Sequence, residues 1–176
     1  MRLKITIMIF AGLFFLAFKA GATITDSSFY GFTIKHELTV NIAPDTLYKY
    51  LVDIGKWWDP EHTWSGKASN LFIQPHANGC FCERLDSEGS VRHMSVIYVQ
   101  PGRILRLEGG LGPLQALAVT GVLTFEITTS FPVSKLTLTY TIGGYSPNGL
   151  KNLAPVVDRV LGDQLKRLKD YAEGKK

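Results

Sequence analysis

The chain has 176 residues, with 19 Lys and Arg against 15 Asp and Glu. Three of the basic residues (Arg2, Lys4 and Lys19) and none of the acids lie in residues 1–22, which leaves +1 for residues 23–176. A balance so close to neutral gives no footprint for nucleic acid and no strongly basic face for a membrane surface.

Residues 1–22 read as a secretory signal peptide. Arg2 and Lys4 make a positive start, Ile5 to Phe18 is an unbroken run of low polarity, and Ala20-Gly21-Ala22 offers small residues to a signal peptidase. The apolar run is 14 residues long, short of the roughly 20 that a spanning helix needs. The expectation is export to the periplasm or outside the cell, with no stable membrane span after cleavage; the alternative is a retained N-terminal anchor. Residues 23–176 are then one domain with a single core.

From Phe29 to Ile42, β-branched and aromatic residues partly alternate with polar ones, which predicts one long strand bent near Gly31. Ala43-Pro44-Asp45 breaks it and starts a helix that buries Leu47, Tyr48, Leu51, Val52 and Ile54 and stops at Gly55. Trp57, Trp58 and Trp64 follow in a loop that also holds Pro60 and Gly66. These tryptophans either floor the end of a cavity or plug the core.

Six further strands are predicted at 71–74, 80–85, 91–99, 104–108, 119–129 and 135–142. Turn chemistry separates them: Asn78-Gly79, Asp86 to Gly89, Gln100-Pro101-Gly102, Gly109 to Pro113, and Ser130-Phe131-Pro132. Leu150, Leu153, Ala154, Val157, Val160, Leu161, Leu165, Leu168 and Tyr171 then recur at three- and four-residue intervals, the period of an amphipathic helix over about 150–173. Its start is open, because Asn152 followed by Pro155 is a second good N-terminal signal. The pattern is α+β: a curved seven-stranded antiparallel sheet, a helical insertion after the first strand, and a long closing helix.

Chemistry-bearing residues are sparse. Cys80 and Cys82 flank Phe81 in a predicted strand, where side chains two apart run parallel, so a disulfide between them is disfavoured and unpaired or packed thiols are expected. The four histidines (36, 62, 76 and 93) show no i, i+4 pair, and there is no Cys-x-x-Cys, so no metal is expected; a site of Cys80, Cys82 and His93 is the weaker alternative. No Gly-x-Ser-x-Gly elbow accompanies the serines. Gly109-Gly110-Leu111-Gly112 lacks the following helix and Gly-Lys-Ser/Thr of a phosphate loop, and reads instead as an apolar lip carrying Leu111 and Leu114. Glu83 and His93 are the candidates for acid–base work, if they share a cavity face. A surface pairing of Glu83 with Arg84, Arg92 or Arg106 explains the same residues.

The phrases LTVNIAPDTLYKYLVDIGKWW (38–58), GCFCERL (79–85), VRHMSVIYVQPGRILRLEGGLGPL (91–114), LTLTYTIGG (136–144) and LAPVVDRVLGDQLKRLKDY (153–171) resemble the SRPBCC group. That group is also called START-like or polyketide cyclase/dehydrase-like, and its architecture is the helix-grip fold. The resemblance implies a cavity for a lipid or other hydrophobic small molecule under the terminal helix; no cofactor is expected. Tyr48, Trp57, Trp58, Trp64, Glu83, His93, Leu111, Leu114, Tyr140, Val157 and Leu161 are the residues expected around it. The functional expectation is an exported binding protein. One alternative is a cyclase- or dehydratase-type enzyme using Glu83 or His93 in the same cavity. Another is a packed protein-interaction domain; resembling domains include activators of a heat-shock ATPase, a partner that an export signal argues against.

Overall fold

The computed structural model describes residues 23–130 and 133–175, so the predicted signal segment and part of the Ser130–Pro132 turn lie outside the described residues. Eight antiparallel strands form one sheet: β1 (Thr23–Ser27), β2 (Gly31–Val40), β3 (Leu71–Ile73), β4 (Cys80–Arg84), β5 (Ser90–Gln100), β6 (Ile104–Glu108), β7 (Ala118–Ser130) and β8 (Val133–Tyr145). Their spatial order is β1-β2-β8-β7-β6-β5-β4-β3. The chain thus lays down one edge, meanders from the other, and returns with β8 beside β2.

The strand expected over 29–42 is β2, shortened to Gly31–Val40, and an unexpected strand, β1, precedes it and pairs with it as a hairpin, which raises the count from seven strands to eight. Ser28 turns the chain: its N–H donates to the Gly31 carbonyl at 2.8 Å and its Oγ accepts from Tyr30 N–H at 3.2 Å. Phe29 and Tyr30, read as strand from their β propensity, sit exposed in that turn. Gly31 is required where β2 begins, because a Cβ there would lie 2.4 Å from the Ile142 carbonyl oxygen.

Helix α1 (Pro44–Val52) follows β2, with Pro44 in its first turn and Leu47, Tyr48 and Leu51 buried. It stops three residues before the predicted Gly55, and a 3-10 turn over Ile54–Lys56 continues the path. Two more 3-10 turns, Pro60–His62 and Ala68–Asn70, shape the tryptophan loop.

The last helix, α2 (Ala154–Ala172), begins at the later of the two predicted starts, with Pro155 in its first turn and Leu153 rather than Asn152 as its N-cap, and residues 151–153 form a 3-10 turn before it. Its 19 residues span about 28 Å at 1.5 Å per residue. Leu161, Leu165 and Leu168 are buried and fix its inner face. Gly162 lets that face close on β2: an added Cβ would lie 3.0 Å from Cε1 of His36. A mid-helix glycine costs roughly 0.5–1 kcal/mol relative to alanine, so close packing offsets weak propensity here. The nearest backbone approaches of α2 are to β2, β1 and α1, not to β4–β6. A wedge therefore opens between the helix and the β4–β6 part of the sheet.

Strand β5 carries two bulges, and they explain its poor alternation. Phe81 pairs with Met94 and Cys82 with Arg92, leaving His93 as the extra residue; a second shift leaves out Ile97. A bulge re-aims a side chain and increases local twist. His93 and Met94 consequently both turn inward, at 5% and 1% exposure.

The cysteines correct the expectation of unpaired thiols. Cys80 and Cys82 are joined to each other, with their Cα atoms 5.5 Å apart. A flat strand would place residues two apart at about 6.6–6.8 Å. The spacing on β4 is shorter than that and lies in the usual disulfide range. Phe81 and Glu83 point into the core while both cysteines, on alternate positions, sit on the outer face. They are thus separated from His93 by the thickness of the sheet.

Candidate functional site

The wedge encloses a cavity of about 450 Å³. Four segments build it. The tryptophan loop supplies Trp58, Glu61, His62, Thr63 and Trp64; the sheet supplies Phe81 and His93; the connection after β6 supplies Leu111 to Leu114; and the helical end supplies Leu153, Val156, Val157, Val160 and Leu161. Aliphatic and aromatic side chains dominate the lining, as in sites for small apolar molecules.

The aromatic floor is ordered by its own contacts. Trp58 meets Phe81 edge-on at 5.5 Å between ring centres, and Phe81 lies 4.8 Å from the His93 ring. Trp58 Nε1 donates to the His62 carbonyl at 3.0 Å. The two readings of the tryptophans divide between residues: Trp57, with its Nε1 on the Tyr50 carbonyl, plugs the core, while Trp58 and Trp64 line the cavity.

Behind this floor is Glu83, fully buried on β4. Its Oε1 accepts the Ser65 N–H at 2.6 Å; its Oε2 accepts the Trp64 N–H at 3.1 Å and meets Nε2 of His93 at 2.9 Å. Burial alone would push this carboxyl up, but the bonds from Ser65, Trp64 and His93 outweigh it and hold the group below the ordinary carboxylate value. Burial pushes His93 down, against the opposing pull of Glu83. The pair is therefore an ionised carboxylate and a neutral imidazole near neutral pH.

A second polar bridge closes the other side of the loop. Gln164 on α2 is buried; its Oε1 accepts the Asp59 N–H at 2.8 Å and its Nε2 lies 3.2 Å from Nδ1 of His62. The connection after β6 has an anchor of its own. Tyr140 Oη donates to the Gly109 carbonyl at 3.0 Å and accepts the Leu111 N–H at 3.2 Å, and burial pushes its phenol up to about 12.

Seven of the eleven residues singled out from sequence come together on the cavity wall: Trp58, Trp64, His93, Leu111, Leu114, Val157 and Leu161. Glu83 stands one layer behind, bonded to His93 rather than to Arg84, Arg92 or Arg106. Tyr140 holds the lip, and Trp57 packs elsewhere. Tyr48 is buried without a hydrogen-bond partner for its hydroxyl, away from the lining. Phe81, His62, Val156 and Gln164 were not anticipated. Gln164 was discoverable, since it lies three residues after Leu161 and four before Leu168 on the apolar stripe. Among the described residues, no group of three His, Cys, Asp or Glu is placed to hold a metal ion. No helix among them is long and apolar enough to cross a membrane.

No family model matches the chain, and no curated protein matches it by sequence. Solved structures do. An uncharacterised protein from Rhizobium leguminosarum superposes with a TM-score of 0.61 at 13% identity, covering 82% of this chain and 96% of that one. The Aha1 dimer from Colwellia psychrerythraea, solved in solution, gives 0.56 at 15% identity over 80% and 96% of the two chains. Ara h 8.0201 gives 0.55 at 13% identity over 82% and 99%. The chain has the helix-grip fold. Within that fold, the apolar space between α2 and the sheet is a departure from close packing.

Proposed function

We propose that this protein is an exported binding protein that holds a hydrophobic small molecule or lipid between α2 and the sheet. The observation that carries this reading is the cavity of about 450 Å³ lined by Trp58, Phe81, Leu114, Val157 and Leu161. Burying apolar ligand surface there would supply about 25 cal/mol per Å². An interior filled by its own side chains would have favoured the packed interaction domain instead.

Export rests on the composition of residues 1–22, and the Cys80–Cys82 disulfide is the expected state of thiols in an oxidising compartment. Expression of the full chain, followed by osmotic shock and N-terminal sequencing, should recover a mature protein beginning at Thr23. Intact protein confined to the cytoplasm would remove export from the reading.

The binding test is titration with diphenylhexatriene, a hydrocarbon whose fluorescence rises in apolar surroundings. Saturable one-to-one binding is expected for the wild type and for Val122→Trp on the outer sheet face, but not for Val157→Trp. Absence of saturable binding, or equal binding in Val157→Trp, would overturn it. A second reading, a cyclase- or dehydratase-type enzyme, draws on the Glu83–His93 pair, which has the geometry of a base held by a carboxylate. It requires turnover of a bound substrate that is lost in His93→Ala while binding is kept.

A further inference from the structure

We propose that the floor of the cavity reads a single hydrogen-bond donor, so that the occupant is a neutral amphiphile whose apolar body ends in a hydroxyl group. This rests on the cavity reading above and adds the chemistry of the ligand's polar end.

The argument starts at Glu83. Its two oxygens are met by two backbone N–H groups and by Nε2 of His93, at 2.6, 3.1 and 2.9 Å. A carboxylate ringed by donors is the acceptor in each of these bonds, so Nε2 carries the imidazole proton and Nδ1 carries a lone pair. Among the described residues no group bonds to Nδ1, and that atom is not among the polar atoms sealed inside protein without a partner. His93 lines the cavity. Its unused lone pair therefore faces the bound molecule, with the Phe81 ring 4.8 Å away.

Four kinds of ligand end can then be ranked. A carboxylate would set lone pairs against lone pairs and bring a second negative charge towards Glu83. An ammonium carries three donors for one acceptor and would leave the others buried without partners. An ether or hydrocarbon offers no donor and leaves Nδ1 unsatisfied. A hydroxyl brings one donor to one acceptor. The other titratable groups in the lining are exposed to solvent, unlike buried His93. They are Glu61 and His62 of the tryptophan loop, and the residues of α2 and of the lip that line the cavity are uncharged. Burial, which lowers the basicity of His93, keeps the ring neutral at pH 7.5.

The experiment is displacement of diphenylhexatriene at pH 7.5 by 1-decanol, its chain-length-matched ether 1-methoxynonane, decanoate and decylamine. One satisfied neutral hydrogen bond is worth a preference of roughly tenfold, so 1-decanol should displace the probe about tenfold better than the ether and better than either ion. In His93→Phe the alcohol and the ether should become equal, each read against the probe affinity of that variant. Should that variant not fold, ¹⁵N chemical shifts of the wild-type imidazole supply the test: Nε2 protonated, Nδ1 bare, and Nδ1 moving when 1-decanol is added. Equal displacement by alcohol and ether in the wild type, or a protonated Nδ1, would overturn the donor-reading proposal and leave the cavity reading standing. No saturable probe binding at all would overturn both.

Discussion

Replacing Glu83 by alanine tests whether the carboxylate is the post on which the tryptophan loop is hung. The substitution leaves three donors without their acceptor: the Trp64 and Ser65 amides and Nε2 of His93. Each orphaned buried donor costs about 1–3 kcal/mol. Removing the desolvated charge and admitting water from the cavity offset part of that sum, so the net loss should be on the order of 3–5 kcal/mol, as for other broken buried pairs. For a chain of this size that is a fall in Tm of roughly 6–20 °C. Thermal unfolding followed by circular dichroism, with urea titration for the free energy, reads it directly. Glu37→Ala is the control, since Glu37 pairs with Lys35 and Lys135 on the surface and its removal should barely move Tm. A Glu83→Ala loss no larger than that of Glu37→Ala would mean that the loop amides rehydrate freely and that Glu83 anchors nothing.

Acid should destabilise the protein in two steps. The folded state lowers the proton affinity of both His93 and Glu83, so the unfolded chain binds more protons and stability falls with pH, first below the ordinary histidine value of 6.5 and then below the ordinary carboxylate value of 4.5. His93→Gln should lose the upper step in a Tm-against-pH series and keep the lower. Reducing the Cys80–Cys82 bond opens a ring of only three residues, which should cost about 1–2 kcal/mol. Diphenylhexatriene binding should survive reduction because the sulfurs lie on the outer face; loss of binding under dithiothreitol would refute that placement. Gln164→Leu leaves the Asp59 amide unpaired under α2, a loss of about 1–3 kcal/mol that urea unfolding will measure.

Much of the architecture was legible because its punctuation is strong. Asn78-Gly79 and Gln100-Pro101-Gly102 end strands in the sequence and in the structure alike, and the Leu161, Leu165, Leu168 period places the inner face of α2. The first hairpin was not legible. Phe29 and Tyr30 carry strand propensity, and only the hydrogen bonds of Ser28 reveal that they turn. The candidate site was legible in its residues and not in its pairing. Parity along β4 and β5 leaves Glu83 and His93 ambiguous, because the bulge that turns His93 inward depends on the partner strand's register. The disulfide was hidden because a flat strand was the wrong ruler for two cysteines whose Cα atoms lie 5.5 Å apart. Tyr140 and Trp57 were expected around the cavity, yet their polar tips are spent on the Gly109 and Tyr50 carbonyls.

The amides of Trp64 and Ser65 serve two masters. They tie down the rim of the cavity, and they are two of the three donors that keep Glu83 ionised. Swinging that rim outward would strip the carboxylate of both at once and make it bind a proton more readily. Unlatching and proton uptake are then a single linked event, so a falling pH would favour the unlatched rim.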